Sequence, residues 1–403
     1  VEFKEVTLKN GLRIVSEYRP SAVSVAIGFL VKAGARDETP EISGVSHFLE
    51  HMLFKGTAKR SALDITYEMG AMGAQANAFT SEESTVYYMA VLPEYFEKAF
   101  DLLSDMMRSS IDPEEFVVEK KVILEEIALY QDRPTYMLLE SSLGRFFKNH
   151  TAGNSVLGSI QSITDLTRDQ MYDYFQTRYS PSNIVLSVAG DFDHDRLIEL
   201  AEKYCGSWED KKVERVYPPY VSTPESYVMT KQDLQRAHVM LLAPGPSMTH
   251  DYRYEADVLT TILGDSNGSK LYWELVHTGL SDGASVESEQ MDGVGIMYGY
   301  ASTTRENLDQ VTEIAKKIMS SPLNFTDEDL ERAVTKTATR MVLQGESTMK
   351  RMMNIGFDWL YNAEYVPLQA ELDRLKRVTR SRIETLVTEF NMIPTHEVRL
   401  ISE

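Results

Sequence analysis

The sequence holds a single cysteine, Cys205, in 403 residues. One thiol excludes an intramolecular disulfide, and with it zinc ribbons, cysteine-based fingers and iron–sulfur clusters. Such sparing use of cysteine suits a reducing compartment, and a cytoplasmic location is the expectation. Also missing is any unbroken apolar run of the roughly 18 to 20 residues needed to span a bilayer. The chain opens Val1-Glu2-Phe3-Lys4, with neither the basic-then-apolar pattern of a signal peptide nor an initiator methionine. That start is compatible with a leading segment having been removed or trimmed. Positive charge is scarce: 41 Lys+Arg stand against 61 Asp+Glu, for a net charge of −20. A surface of that sign repels phosphate backbones and anionic lipid, so nucleic acid and membrane are not expected partners. Cationic or neutral partners are easier to accommodate.

What is present is ordinary globular material, 43% hydrophobic and 25% charged, in a length that suits two or three domains. Residues 5–38 alternate apolar and polar positions, and Val23–Val31 reads as a strand. A helix is expected around Gly44–Phe54, then strands at Ala74–Phe79 and Ser84–Leu92. Helices are expected at Tyr95–Met107, where Phe96, Phe100, Leu103 and Met107 recur at helical spacing, and at Pro113–Gln131, where Asp112 caps and Pro113 takes the first helical position. A helix over residues 165–178 and a strand at Asn183–Ala189 close the first half. The second half repeats this order. Strands are expected at His238–Leu242, Ser285–Glu289 and Ile296–Ser302. Helices are expected at Tyr252–Leu263, Lys270–Val276, Glu306–Met319 and Asp327–Leu343. A repeat of about 200 residues points to a duplicated domain rather than a solenoid. Charge and proline in Trp208–Tyr227 have linker composition. The expected domains are therefore residues 1–216 and 217–403.

One segment carries chemistry. In His47-Phe48-Leu49-Glu50-His51 the two histidines lie one turn apart on a shared helix face. Two imidazoles so placed can ligate one zinc. Glu50 lies on a neighbouring stripe, where it can reach a water on the metal without being a ligand. This inverts the His-Glu-x-x-His arrangement. Phe48, Leu49, Met52, Leu53 and Phe54 make the segment largely apolar, and buried polar groups need partners, which a metal provides. A catalytic zinc keeps three protein ligands and one open position. The third ligand must come from elsewhere, and a carboxylate is the natural candidate.

With these residues the chain resembles the pitrilysin and mitochondrial-processing-peptidase family of inverzincin zinc metallopeptidases, in particular bacterial members of about 45 kDa. The resemblance covers almost the whole chain. It includes Leu8-Lys9-Asn10-Gly11-Leu12, the zinc helix, Asn77-Ala78-Phe79-Thr80 with Tyr87-Tyr88, and Glu119–Ile127. It continues through Tyr179-Ser180-Pro181-Ser182-Asn183 and Gly190-Asp191. It implies a third ligand 75 residues after the second histidine, which is Glu126, and a functional glutamate seven residues earlier, Glu119. Seven residues is nearly two turns, so both carboxylates share a face. Glu125 competes, but its side chain points about 100° away. Glu119 is then expected to orient the site or help move protons. One Zn²⁺ per chain is implied.

The resemblance also implies an α+β fold of two homologous domains, each an antiparallel sheet packed with helices, closing as a clamshell around a chamber. Peptide substrate is expected to add as a strand along Asn77-Ala78-Phe79-Thr80. Ala78 would align it through backbone groups, Asn77 would hold the scissile peptide group, and Phe79 would line a pocket. A homodimer, or a heterodimer with a paralogous chain, is the expected assembly. The pattern departs from the family in the second half. Many relatives carry an Arg and, seven residues on, a Tyr that bind substrate and stabilise the oxyanion. Here Val276 stands where the Arg is expected and Asp282, six residues on, falls about where the Tyr is expected; even allowing for a one-residue gap, neither is present. Tyr298, Tyr300 and His277 are the nearby substitutes, and a paralogous partner is the other source. The departure leaves two alternatives to a self-sufficient peptidase: a zinc-bearing subunit inactive without its partner, and a non-catalytic assembly subunit. The remaining histidines show no ligand spacing, Gly264–Gly268 lacks phosphate-loop spacing, and Met349, Met352 and Met353 read as helix packing.

Overall fold

The structure, a computed structural model, describes residues 1–218 and 220–403. The chain forms two compact units of mixed sheet and helix, the α+β class expected. The first contains Val1–Ala128, Asn154–Val216 and Leu343–Val366. The second contains Leu129–Gly153, Tyr217–Val342 and Pro367–Glu403. A single division at 216/217 is therefore not how the chain is partitioned. Each half also donates a helical segment to the other unit. Helical periodicity is a local property and carries no record of which sheet a helix will cover.

The first sheet contains β1 (Glu2–Thr7), β2 (Arg13–Tyr18), β3 (Val25–Val31), β4 (Gln75–Thr80), β5 (Thr85–Val91) and β6 (Ile184–Gly190), in the order β1-β2-β6-β3-β5-β4. The second contains β7 (Glu225–Lys231), β8 (Ala237–Gly245), β9 (Gly283–Gln290), β10 (Gly295–Thr303) and β11 (His396–Ser402), in the order β7-β11-β8-β10-β9. Pairing is antiparallel except for one parallel pair in each sheet, β2 with β6 and β7 with β11. Each parallel pair joins strands far apart in sequence, which a hairpin cannot connect.

In the first unit β3 and β6 are buried at every residue. Both faces of these central strands are covered, which is why Val-Ala-Ile-Gly-Phe-Leu-Val is continuously apolar. On one face Phe29 meets Phe100 of the helix Phe96–Met106 and Trp208, with ring centroids 6.3 and 5.8 Å apart. On the other lies the helix Thr348–Asn362, whose Met352, Ile355 and Trp359 pack with Val15, Ala26, Leu30, Val86, Val185 and Ala189. This helix sits very close to the sheet. A Cβ at Gly356 would lie 2.8 Å from the Leu30 methyls and 3.1 Å from the Ser187 Cβ. The Ser187 hydroxyl donates to the Met352 carbonyl at 2.7 Å. In the second unit the helix Pro134–Phe147 packs Leu138, Phe146 and Phe147 with Met240, Leu242, Ile296, Val398 and Leu400. The helices Arg253–Gly264, Leu308–Ser320 and Arg380–Phe390 contribute to the other core.

Most expected elements lie within a few residues of their expected bounds, and two differ in kind. Residues 165–178 are not one helix. Ile160–Asp165 ends, and Arg168–Arg178 begins behind a capping box in which Thr167 and Gln170 exchange side-chain and backbone bonds at 2.9 and 3.2 Å. The expected Lys270–Val276 helix is a single wide π turn, Tyr272–Val276, closed by the His277 N–H on the Tyr272 carbonyl five residues back. The linker is more than solvated chain: Arg215 donates to both Asp37 oxygens at 2.9 and 2.6 Å, inside the first unit. No helix among the described residues is long and apolar enough to cross a membrane.

The helix Thr348–Asn362 is fastened to β2 by a buried ion pair. Arg351 Nε lies 2.8 Å from Glu17 Oε2, each side chain is 3% exposed, and the Tyr365 hydroxyl donates to the same oxygen at 2.9 Å. Removing one partner leaves a buried charge uncompensated, which costs about 3–5 kcal/mol. Arg351→Met should therefore lower the unfolding free energy by that amount in urea titration. Adding Glu17→Gln should recover part of the loss, because the stranded charge is then gone.

Candidate metal centre

The helix Val45–Met52 begins at Gly44, whose φ of +92° suits glycine, and where a Cβ would meet the Leu157 carbonyl at 2.5 Å. The Glu38 carboxylate caps this helix, accepting from the Gly44 and Ser46 N–H groups at 2.6 and 2.7 Å. Val45, Phe48, Leu49 and Met52 are fully buried. Phe48 stacks on Phe116 of the helix Pro113–Gln131 with centroids 4.9 Å apart. That second helix starts as expected: Asp112 Oδ1 accepts from the N–H groups of Glu114 and Glu115 at 2.8 and 3.1 Å. Phe116, Ile123 and Ile127 fix its buried stripe. The rotation this imposes turns Glu119 and Glu126 toward the histidines and leaves Glu125 exposed.

His47, His51 and Glu126 come together, with one donor atom from each within 4.8 Å of the others. Glu126 Oε2 lies 3.8 Å from His47 Nε2 and 3.5 Å from His51 Nε2. Donors about 2.0–2.2 Å from a tetrahedral zinc stand roughly 3.3–3.5 Å apart, so the spacing fits after small adjustment. The chemistry of the set fits as well. His51 Nδ1 lies 2.9 Å from Glu119 Oε1. When Nδ1 donates there, the neutral ring turns the Nε2 lone pair toward a carboxylate oxygen. Lone pairs so opposed repel unless a cation lies between them.

Burial, reinforced by the neighbouring His51, pushes the His47 imidazole down to about 3 and keeps it neutral. For His51 burial pulls the same way. The Glu119 hydrogen bond and the charges of Glu126, Glu50 and Glu119 outweigh it and leave His51 above its ordinary value. Glu119 itself is only 3% exposed and lies 2.6 Å from Lys55 Nζ. Its burial is opposed by the bonds and charges of His51 and Lys55, which hold its carboxyl below the usual range. Glu50 is outside the donor set. Burial pushes its carboxyl upward, against a hydrogen bond from Thr80 and the charge of His51 and with that of Glu126. Thr80 Oγ1 donates to Glu50 Oε2 at 2.7 Å.

Asn77, Ala78 and Phe79 lie on β4, the last strand of the first sheet, which pairs only with β5 among the described residues. The Ala78 N–H donates to its neighbour's Asn77 Oδ1 at 2.9 Å. An added strand would compete with that amide for the same donor. Phe79 is 38% exposed, with its ring 6.4 Å from Phe357 and 6.5 Å from Tyr88. In the second unit Asp282 forms an ion pair with Arg236. Tyr298 donates to Glu287 at 2.9 Å, the Tyr300 hydroxyl lies 2.9 Å from His238 Nδ1, and His277 packs edge-on against Trp273. Two residues of the centre escaped the sequence reading. Thr80 stands inside the Asn77-Ala78-Phe79-Thr80 motif and Lys55 directly follows the histidine helix segment, but contacts to Glu50 and Glu119 across 30 and 64 positions leave no periodic trace.

The two sheets with their helices, and a His-x-x-Glu-His helix facing a glutamate, define a metallopeptidase-type architecture. Residues 13–160 match the family model described as insulinase (peptidase family M16), and residues 165–337 match the one described as the peptidase M16 inactive domain. All three candidate metal-donor residues fall in the first segment. The chain is 33% identical over 391 residues to an uncharacterized zinc protease, YmxG, of Bacillus subtilis, covering 96% of this chain and 95% of that one. It is 32% identical over 403 residues to an uncharacterized zinc protease, Rv2782c, of Mycobacterium tuberculosis, covering 98% and 90%. A protease from Helicobacter pylori shares the fold, with a TM-score of 0.90 at 22% identity over 99% of both chains. The chain belongs to peptidase family M16.

The Glu119 contact makes a specific expectation. Loss of a group that orients a ligating histidine typically weakens metal binding 10- to 100-fold. In competition titrations with a chromophoric chelator, Glu119→Gln should still bind zinc, with affinity lowered by about that factor. His51→Ala and Glu126→Gln should lose stoichiometric zinc.

Proposed function

We propose that the chain is a zinc endopeptidase acting on short or unfolded peptides, with His47, His51 and Glu126 holding one zinc ion and Glu50 as general base. The observation that carries this reading is the division of labour on one helix. His47 and His51 turn a nitrogen each toward Glu126, while Glu50 stays out of that set and is held by Thr80. Zinc in such a site polarises the scissile carbonyl and brings the pKa of water toward about 7. Glu50 takes one proton from the attacking water as its oxygen bonds to the carbonyl carbon. It returns that proton to the amide nitrogen as the C–N bond breaks. Glu119, backed by Lys55, keeps His51 in one tautomer and orientation. The free edge of β4 holds the peptide as an added strand, which selects extended chains over folded ones. Asn77 releases the Ala78 N–H to the substrate, and Phe79 packs beside it. The enclosed chamber implied by the family resemblance belongs to the same reading, and so does a cytoplasmic dimer. A net charge of −20 favours basic peptides.

Val276 and Asp282 favour a second reading, in which a paralogous partner supplies the missing oxyanion donors. An oxyanion donor is worth about 2.7–4 kcal/mol in the transition state. Asp282, paired with Arg236, is no substitute for a phenol. Hydrolysis of a quenched peptide library by the purified chain separates the two. A self-sufficient enzyme loses activity with a chelator. In Glu50→Gln, kcat should fall about 10²- to 10⁴-fold with zinc content unchanged. A zinc-loaded parent chain that cleaves nothing would instead support the partnered reading.

A further inference from the structure

In the peptidase reading Thr80 serves only as the group that holds Glu50, and its other contacts say more. It closes β4, opposite Thr85 across the hairpin. Its hydroxyl has one hydrogen to give. Glu50 Oε2 lies 2.7 Å away and Thr85 Oγ1 3.5 Å away. Thr85 gives its own hydrogen to the Ala33 carbonyl at 2.9 Å. The Thr80 hydrogen therefore goes to Glu50, and it goes to one oxygen only. Oε1 receives no hydrogen bond from the described residues. The donor is also well fixed. Threonine is stiff about χ1. The turn beyond it is locked by Ser81 N–H on the Ser84 carbonyl at 2.8 Å, and Glu83 in that turn is paired with buried Arg36 and accepts from Tyr361 at 2.7 Å.

We infer that Thr80 is a positioning residue for the general base. Its hydroxyl occupies Oε2, fixes the plane of the carboxylate and leaves Oε1 as the oxygen that takes the proton from water. Because Thr80 belongs to the strand that offers its edge to the peptide, the same backbone sets both the register of the scissile bond and the aim of the base. A shift of β4 would disturb the two together. This inference rests on the reading of Glu50 as base and goes beyond it in assigning which oxygen works and what holds it.

Thr80→Val keeps the branched shape and removes the hydroxyl, whereas Thr80→Ser keeps the hydroxyl and removes a methyl. A lost hydrogen bond to a charged group corresponds to about a 10- to 100-fold change. The expected result for Thr80→Val is kcat lowered by that factor, with KM within about twofold of the parent. Zinc content and affinity should be unchanged, and Thr80→Ser should recover most of the rate. In a Glu50→Gln background Thr80→Val should cost nothing further. Full activity in Thr80→Val beside an inactive Glu50→Gln would overturn this inference and leave the base assignment standing. Equal losses in the valine and serine variants would reduce Thr80 to packing. An active Glu50→Gln would remove the base assignment itself. Crystal structures of the zinc-loaded parent and Thr80→Val give a reading independent of turnover. The Glu50 carboxylate should rotate or split between rotamers in the variant, and an unmoved carboxylate would sink the idea.

Discussion

Everything in the first unit serves one electrostatically unfavourable arrangement: two imidazole nitrogens and a carboxylate oxygen turned toward one another in a half-buried place. Left alone, such groups would separate or take up a proton. They are kept together because the two helices that carry them cannot move apart. Phe48 on Phe116 joins the helices, the Glu38 carboxylate caps the first, and the Asp112 side chain caps the second. A cation that relieved the repulsion would bind a site already assembled, so less ordering would be needed at the moment of binding.

The same economy extends outward in a line of charges and hydroxyls. His51 leans on Glu119, and Glu119 on Lys55. Glu50 leans on Thr80, and the hairpin that carries Thr80 is braced by Arg36 and Tyr361 through Glu83. Alternating acid and base in a place of low dielectric is stable only while every member keeps its partner. His51, Glu119 and Lys55 keep their partners in this line, whereas His47 Nδ1 is buried without a hydrogen-bond partner among the described residues. The same requirement makes the helix Thr348–Asn362 more than a cover for the sheet. Arg351 and Tyr361 reach from it to Glu17 and Glu83, so a segment near the end of the chain steadies a site built near its beginning.

The exchange of helical segments has a second consequence. With Leu129–Gly153 in one unit and Leu343–Val366 in the other, neither half of the sequence contains a complete core. Met352 against Gly28 and Gly356 against Leu30 show how close the contributed helix lies, and glycine at those two points is what permits the approach. Contacts of this kind carry the entropy of closing long loops.

The sequence by itself determined whatever depends on regular spacing. A helical turn places His47 above His51 and Glu119 in line with Glu126, so the candidate donor types were legible before any fold was known. The long apolar runs of β3 and β6 and the capped start at Asp112 were legible for the same reason, since burial and caps leave local marks. Only the tertiary structure decided what depends on packing between distant segments. Glu126 rather than Glu125 faces the histidines because Phe116, Ile123 and Ile127 set the rotation of their helix. The exchanged helices and the parallel pairs β2–β6 and β7–β11 come from pairing across more than a hundred residues. Thr80 and Lys55 acquire partners only where a hairpin and a helix end happen to meet a carboxylate. A hydrogen bond across such a distance has no period, so no pattern in the sequence announces it.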